Sequence, residues 1–132
     1  MGRRIIVGTL CVFVLWSVLD FLIHGVILRS AYEATASLWR PMAQMKMGLM
    51  YVVVLIAASM FVLIYGRLIA PRNPASGLKF GLLYGIGVGV GMGYGTYSVM
   101  PIPYSMALTW FLGSVAEAAL GGILLGLIFR EK

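Results

Sequence analysis

Four long apolar runs dominate the chain, at residues 5–28, 48–70, 77–100 and 104–129. Their apolar positions are nearly continuous rather than spaced three and four apart, so none reads as a surface helix with one wet face. Each is close to the roughly 20 residues that an α-helix needs to cross a bilayer. The pattern predicts an all-α polytopic membrane protein: one domain over residues 1–132, with four transmembrane helices in an up-down bundle. Pro41, Pro74 and Pro103 stand where the second, third and fourth helices should begin, a position that loses nothing from the missing N–H. Asn73 is a good N-cap before Pro74. The first run continues without a helix breaker to Leu38. That is about 50 Å at 1.5 Å per residue, against a hydrocarbon core of about 30 Å. It must therefore tilt, project or kink near Gly25 or Ser30, with Tyr32 and Trp39 suited to the membrane interface. Short connections make consecutive helices antiparallel neighbours.

The third run is unusual in carrying eight glycines within residues 77–95. Each would cost a helix in water about 1 kcal/mol relative to alanine. Gly77, Gly81, Gly85, Gly89 and Gly93 recur every fourth residue, and Gly87, Gly91 and Gly95 form a second line. A two-residue offset turns about 200° around a helix, so the lines lie on nearly opposite faces. In lipid, small residues at this spacing let backbones approach closely, which is how helices associate there. The fourth run offers a matching line at Ser114, Ala118, Gly122 and Gly126, with Gly113 and Gly121 beside it. One groove is expected to face the fourth helix and the other a second subunit or the first helix. The alternation does not satisfy G-x-G-x-x-G, because Val90, Tyr94 or Thr96 occupies the third glycine position in every frame. Gly93-Tyr94-Gly95 matches the GYG of a potassium filter, but one continuous span leaves no room for a re-entrant loop.

Composition agrees with lipid rather than water. Apolar residues make up 61% and charged residues 11%, against about 25% charged in soluble domains. The net charge of +6 is unevenly placed. Arg3, Arg4, Arg67, Arg72, Lys79, Arg130 and Lys132 fall on one side of the spans, and Arg29, Arg40 and Lys46 on the other. The positive-inside rule then puts both termini in the cytoplasm of a bacterial inner membrane. Basic residues distributed this way orient a membrane protein and do not form a nucleic-acid surface. Cys11 lies within the first span and reads as a small packing residue. The A-x-A pair Ala34 and Ala36 lies too far beyond the first apolar run to mark a cleaved leader. Ile6 occupies the position where a myristoylation signal wants Ser or Thr. Met42, Met45, Met47 and Met50 read as core filler rather than copper ligands, since Met45 and Met47 do not share a helix face.

Three ionisable residues fall inside the spans: Asp20, His24 and Glu117. Each costs about 2.5 to 3.5 kcal/mol at depth, so each should face the bundle interior with a partner. Thr9, Phe13, Trp16, Asp20 and His24 share one face, and Asp20 can hydrogen-bond His24. By helical rise, Asp20 and Glu117 lie about 22 Å and about 18 Å from the inner boundary. Tyr94 and Tyr51 fall near the same level. This polar layer serves either as hydrogen-bonding glue between protonated acids or as a proton or cation site. A metal or haem site would need Asp20 and Glu117 beside the single histidine, or a second subunit. Glu33 and Arg29 form an ordinary surface pair. No cofactor motif and no nucleophile–base–orienter set is visible, so neither a cofactor nor an enzymatic activity is expected.

The run LDFLIHGVILRSAYEATASLWRP, followed by a helical hairpin, a glycine-rich third span and a small-residue fourth, resembles an uncharacterised family of small four-helix bacterial membrane proteins. The resemblance implies the four-helix layout and no activity. Small multidrug exporters share the length and helix count but place a glutamate in an otherwise uncharged first helix, where this chain has Asp20 and His24. The expectation is a non-enzymatic membrane protein, a homo-oligomer or subunit of a larger membrane complex packed through the third helix. The alternative is a small proton- or cation-coupled transporter using Asp20, His24 and Glu117.

Overall fold

The computed structural model describes residues 1–130, and among them the chain is helical with no strand. Lys132, which contributes to the charge asymmetry, lies outside the described residues. Four helices are long and apolar enough to cross a membrane: α1 (Gly2–Ile27), α3 (Met47–Leu68), α4 (Pro74–Val99) and α5 (Tyr104–Ile128). A short helix, α2 (Arg29–Ala34), follows α1. Both described ends and the 69–73 loop lie at one end of the bundle, here the basic end; α2 and residues 35–46 and 100–103 form the opposite, cap end.

The glycine line at 77, 81, 85, 89 and 93 packs directly on α5. A Cβ at Gly77 would collide with the Gly122 carbonyl oxygen, one at Gly81 with that of Ala118, and one at Gly93 with that of Ala107. At Gly85 it would come within 2.8 Å of the Val115 Cα, and at Gly89 within 3.0 Å of the Phe111 carbonyl oxygen. Backbone lies against backbone along the whole α4–α5 contact, a separation no residue with a side chain permits. Gly126 extends the seam to Asn73 and Pro74. The other small face of α5 takes up α1: Gly113 meets Ile23, and Gly121 meets Trp16 and Phe61. The second line of α4 contacts neither. Around Gly87 and Gly91 nothing lies within 4 Å, and Gly95 is approached only by the Val90 carbonyl of its own helix. The expected alternative of α1 in this groove is therefore corrected, because α1 packs on α3 and α5 instead.

Consecutive helices are neighbours in the pairs α1–α3 and α4–α5, but the α3 and α4 backbones stay apart. Side chains bridge them, with Phe61 and Phe80 centred 4.7 Å apart, Phe61 and Tyr84 4.9 Å apart, and the Tyr65 hydroxyl 3.1 Å from Ser76 Oγ. This aromatic cluster joins a core of Val12, Val62, Tyr65, Leu125 and Phe129 toward the basic end. There the Tyr65 hydroxyl donates to the Asn73 carbonyl at 3.0 Å, and Arg72 Nη1 donates to the Gly66 carbonyl at 3.0 Å. The first half of α3 stands outside the core. Met42, Met45, Met47 and Met50 are accordingly exposed, not the core filler their apolarity suggested.

Proline punctuates the chain unevenly. Pro74 is the first residue of α4, behind a reciprocal cap in which Asn73 Oδ1 accepts from the Ser76 amide and Ser76 Oγ accepts from the Asn73 amide. Pro103 immediately precedes α5. Pro41 instead leads only a single 3₁₀ turn, Met42–Gln44, and α3 starts later, at Met47. The Arg40-Pro41 pair thus lies within the cap rather than at the start of the second span.

The overlong first helix is resolved by a kink. Its last stretch, Phe21–Ile27, widens to π-helix, with the Leu28 amide donating to the Ile23 carbonyl five residues back at 2.9 Å. Leu28 leaves helical geometry at φ −94°, ψ 5°. The chain then folds α2 and the Ala36–Leu38 turn over the end of α5, where Ile23, Leu28, Ile102, Met106, Ala107 and Trp110 form a second core beside Tyr32, Leu38 and Trp39. A second π-helical stretch, Val90–Gly95, interrupts α4.

Candidate intramembrane polar site

The kink decides the site. In a straight helix, residues eight apart lie about 12 Å apart along the axis. Because the chain turns back at Leu28, the Tyr32 hydroxyl instead reaches His24 Nδ1 at 2.7 Å. Trp110 Nε1 of α5 donates to the same hydroxyl at 3.0 Å. On its other side, His24 Nε2 lies 3.7 Å from Asp20 Oδ1, within ion-pair range but longer than the direct hydrogen bond expected from their spacing. Asp20 in turn is close enough to Glu117 on α5 for the two carboxyl groups to interact electrostatically.

The donors fix a direction. An indole nitrogen can only donate, so the Tyr32 oxygen accepts from Trp110. The phenol proton is then free for His24 Nδ1, which accepts it, and the histidine proton sits on Nε2, facing Asp20. This assignment follows from satisfying each donor and acceptor in the chain. At the far end the two carboxyl groups can hydrogen-bond only if one of them carries a proton. Glu117 Oε1 is buried with no hydrogen-bond donor from the protein. The Glu117 backbone carbonyl is already used, accepting from Trp16 Nε1 at 2.8 Å.

Burial pushes the Tyr32 phenol above its ordinary range; the Trp110 N–H opposes this by favouring the phenolate, and the Asp20 charge adds to the rise. Tyr32 therefore stays protonated at neutral pH and remains a donor to His24. At 1.5 Å per residue, Trp110 is about 9 Å and Glu117 about 20 Å along α5 from Tyr104. The chain Glu117, Asp20, His24, Tyr32 thus runs from mid-span to the cap. The Asp20 and His24 side chains remain 36% and 40% exposed, so the middle of the chain is not sealed by protein.

The other two residues expected in this layer point elsewhere. The Tyr94 hydroxyl pairs with that of Tyr104 at 3.0 Å, and its ring lies against Phe111. Tyr51 is exposed, its ring meeting only the edge of Phe13 at 6.5 Å. Sequence reasoning missed Tyr32, Trp110 and Trp16 as partners. The available signal was that a polar atom on an aromatic ring seeks a partner in lipid. Among the described residues no three His, Cys, Asp or Glu side chains converge as a metal site.

Beside Glu117 lies a cleft of about 110 Å³ that all four spans line: Trp16 from α1, Ala57 from α3, Tyr84, Gly85 and Val88 from α4, and Ser114, Glu117 and Ala118 from α5. It exists because the α3 and α4 backbones do not meet. Compared with known families, curated proteins and solved structures, the chain matches none.

Proposed function

We propose that the protein is a small multi-pass protein of the bacterial inner membrane, with both termini cytoplasmic, that moves protons or cations through Glu117, Asp20 and His24. One observation carries this reading: His24 lies 3.7 Å from Asp20, which neighbours Glu117, and hydrogen bonds through Tyr32 to Trp110 extend the series to the cap. Hydrogen-bonding glue needs only pairs; a series of ionisable groups from mid-span to one end supports proton movement over that half of the bundle. The resemblance in layout to a family of small four-helix bacterial membrane proteins fits this placement and adds no activity. The full chain, reconstituted in vesicles with an internal pH-sensitive dye, should acidify them under an imposed membrane potential. Glu117→Gln should abolish this, and His24→Gln should slow it. Equal rates in empty vesicles, wild type and Glu117→Gln would discard the reading.

A second reading has its own support. The outward line Gly87, Gly91, Gly95 of α4 is bare of contacts and has the spacing of a glycine zipper. It suits a second copy or a larger membrane complex in which this chain is an accessory subunit. Gly91→Leu should then shift the gel-filtration position in mild detergent while leaving helix content unchanged.

A further inference from the structure

Toward the basic end, a groove of about 280 Å³ runs beside the contact between α1 and α3. Ile5, Ile6, Thr9 and Leu10 line it from α1, and Ser59 and Leu63 from α3. Thr9 and Ser59 are short where their neighbours are long, which opens the gap. The lining is apolar apart from two hydroxyls, and Ser59 Oγ already donates to the Leu55 carbonyl at 2.7 Å. Only two helices form the walls, and Ile6 and Leu10 at the rim are exposed, so the open side faces hydrocarbon. A polar solute would lose its hydration here and find no charged partner. The guest therefore comes from the bilayer, and an acyl chain laid along the groove gains contact with both walls.

The mouth at the basic end has a different chemistry. Arg67 follows Leu63 by four residues and Ser59 by eight, on one face of α3. Arg3 precedes Ile6 by three, on the groove side of α1. The two helices run in opposite directions, so both arginines stand at the same end, about 6 Å beyond Leu63 by helical rise. Two neighbouring arginines are engaged in the fold: Arg4 Nη1 donates to the Phe129 carbonyl at 3.4 Å and Arg72 Nη1 to that of Gly66 at 3.0 Å. Arg3 and Arg67 are exposed, and among the described residues neither has a hydrogen-bond or ion-pair partner. The acids of the described chain lie elsewhere, Asp20 and Glu117 within the spans and Glu33 on α2. Two free guanidinium groups above an apolar trough match a phosphate above a hydrocarbon chain.

We propose that this groove seats one anionic phospholipid from the leaflet at the basic end, its phosphate held by Arg3 and Arg67 and one acyl chain lying between α1 and α3. A zwitterionic lipid carries the same phosphate with a cation of its own, which the arginines repel. The seated lipid bridges two helices that otherwise meet through Val12, Ala58 and Val62, and so strengthens that pair. The site is independent of the polar series, which lies farther along α1 at Asp20 and His24.

Native mass spectrometry of the purified full chain in a maltoside detergent, with dioleoyl-phosphatidylglycerol or dioleoyl-phosphatidylcholine added, tests this. One phosphatidylglycerol per chain should be retained, about tenfold or more above phosphatidylcholine, and should raise the melting temperature. Arg3→Gln and Arg67→Gln should each weaken retention about fivefold. Ser59→Phe fills the groove and keeps every charge; it should weaken retention about as much, with Thr9→Phe as the second groove-filling variant if the first fails to fold. Equal retention of the two lipids by the wild type would overturn the proposal. So would undiminished retention in the groove-filling variants, which would mean charge attraction without a seat. Inorganic phosphate should leave the melting temperature unchanged; the same rise with phosphate alone would also overturn it.

Discussion

The indole of Trp110 on α5 and the hydroxyl of Tyr32 on α2 meet at 3.0 Å, across 78 positions of sequence. That bond fastens the cap to the bundle and leaves the phenol O–H to donate to His24, so a structural tie and the chemistry of the polar series share one atom.

Tyr32→Phe removes this atom while keeping the ring. The Trp110 N–H and His24 Nδ1 both lose their partner, at a cost of about 1–3 kcal/mol. Thermal unfolding in detergent should show the loss. Nitrogen NMR of the histidine should show Nδ1 no longer biased toward its acceptor form.

The phenol itself makes a pH prediction. Its folded-state value lies above the ordinary 10 because burial disfavours the phenolate. The folded state holds this proton more tightly than the unfolded chain does. The stability it contributes is therefore full below pH about 10 and falls as pH rises through the folded value. Phenolate absorbance of wild type minus Tyr32→Phe should rise later than that of free tyrosine. Trp110→Phe should move it later still, since the indole N–H favours the phenolate; an earlier rise would contradict the donor assignment.

The two glycine lines of α4 should respond oppositely to one methyl group. Gly81→Ala drives a Cβ into the Ala118 carbonyl and should destabilise by about 1–3 kcal/mol. Gly87→Ala meets open space and should be neutral or up to about 1 kcal/mol stabilising through helix propensity. Circular-dichroism melts of both in one detergent decide this, and equal destabilisation would refute the seam described for α4 and α5.

The start of α4 offers a local test. Asn73→Ala removes the acceptor for the Ser76 amide and should cost about 1 kcal/mol. Hydrogen exchange should speed up in the first turn of α4 and leave the cap end unchanged.

How much of this was present in the residue order follows from what each feature depends on. Four spans are a matter of local composition, so length and apolarity placed α1, α3, α4 and α5 to within a few residues. The seam between Gly77, Gly81, Gly85 and the Ser114, Ala118, Gly122 line was equally legible, because a fourfold repeat of missing side chains has one geometric use in lipid. Asp20, His24 and Glu117 could be picked out because ionisable groups in apolar runs are conspicuous. Their partners could not. Tyr32 reaches His24 only because the chain turns back at Leu28, and Trp110 reaches Tyr32 only because α5 stands beside α1; both are relations between distant segments. The outward placement of Tyr51 and the cap-end methionines, and the cleft beside Glu117, likewise follow from α3 standing apart from α4. Periodicity tells which face of a helix is special, but which neighbour that face meets is settled only when all the helices compete for the same contacts.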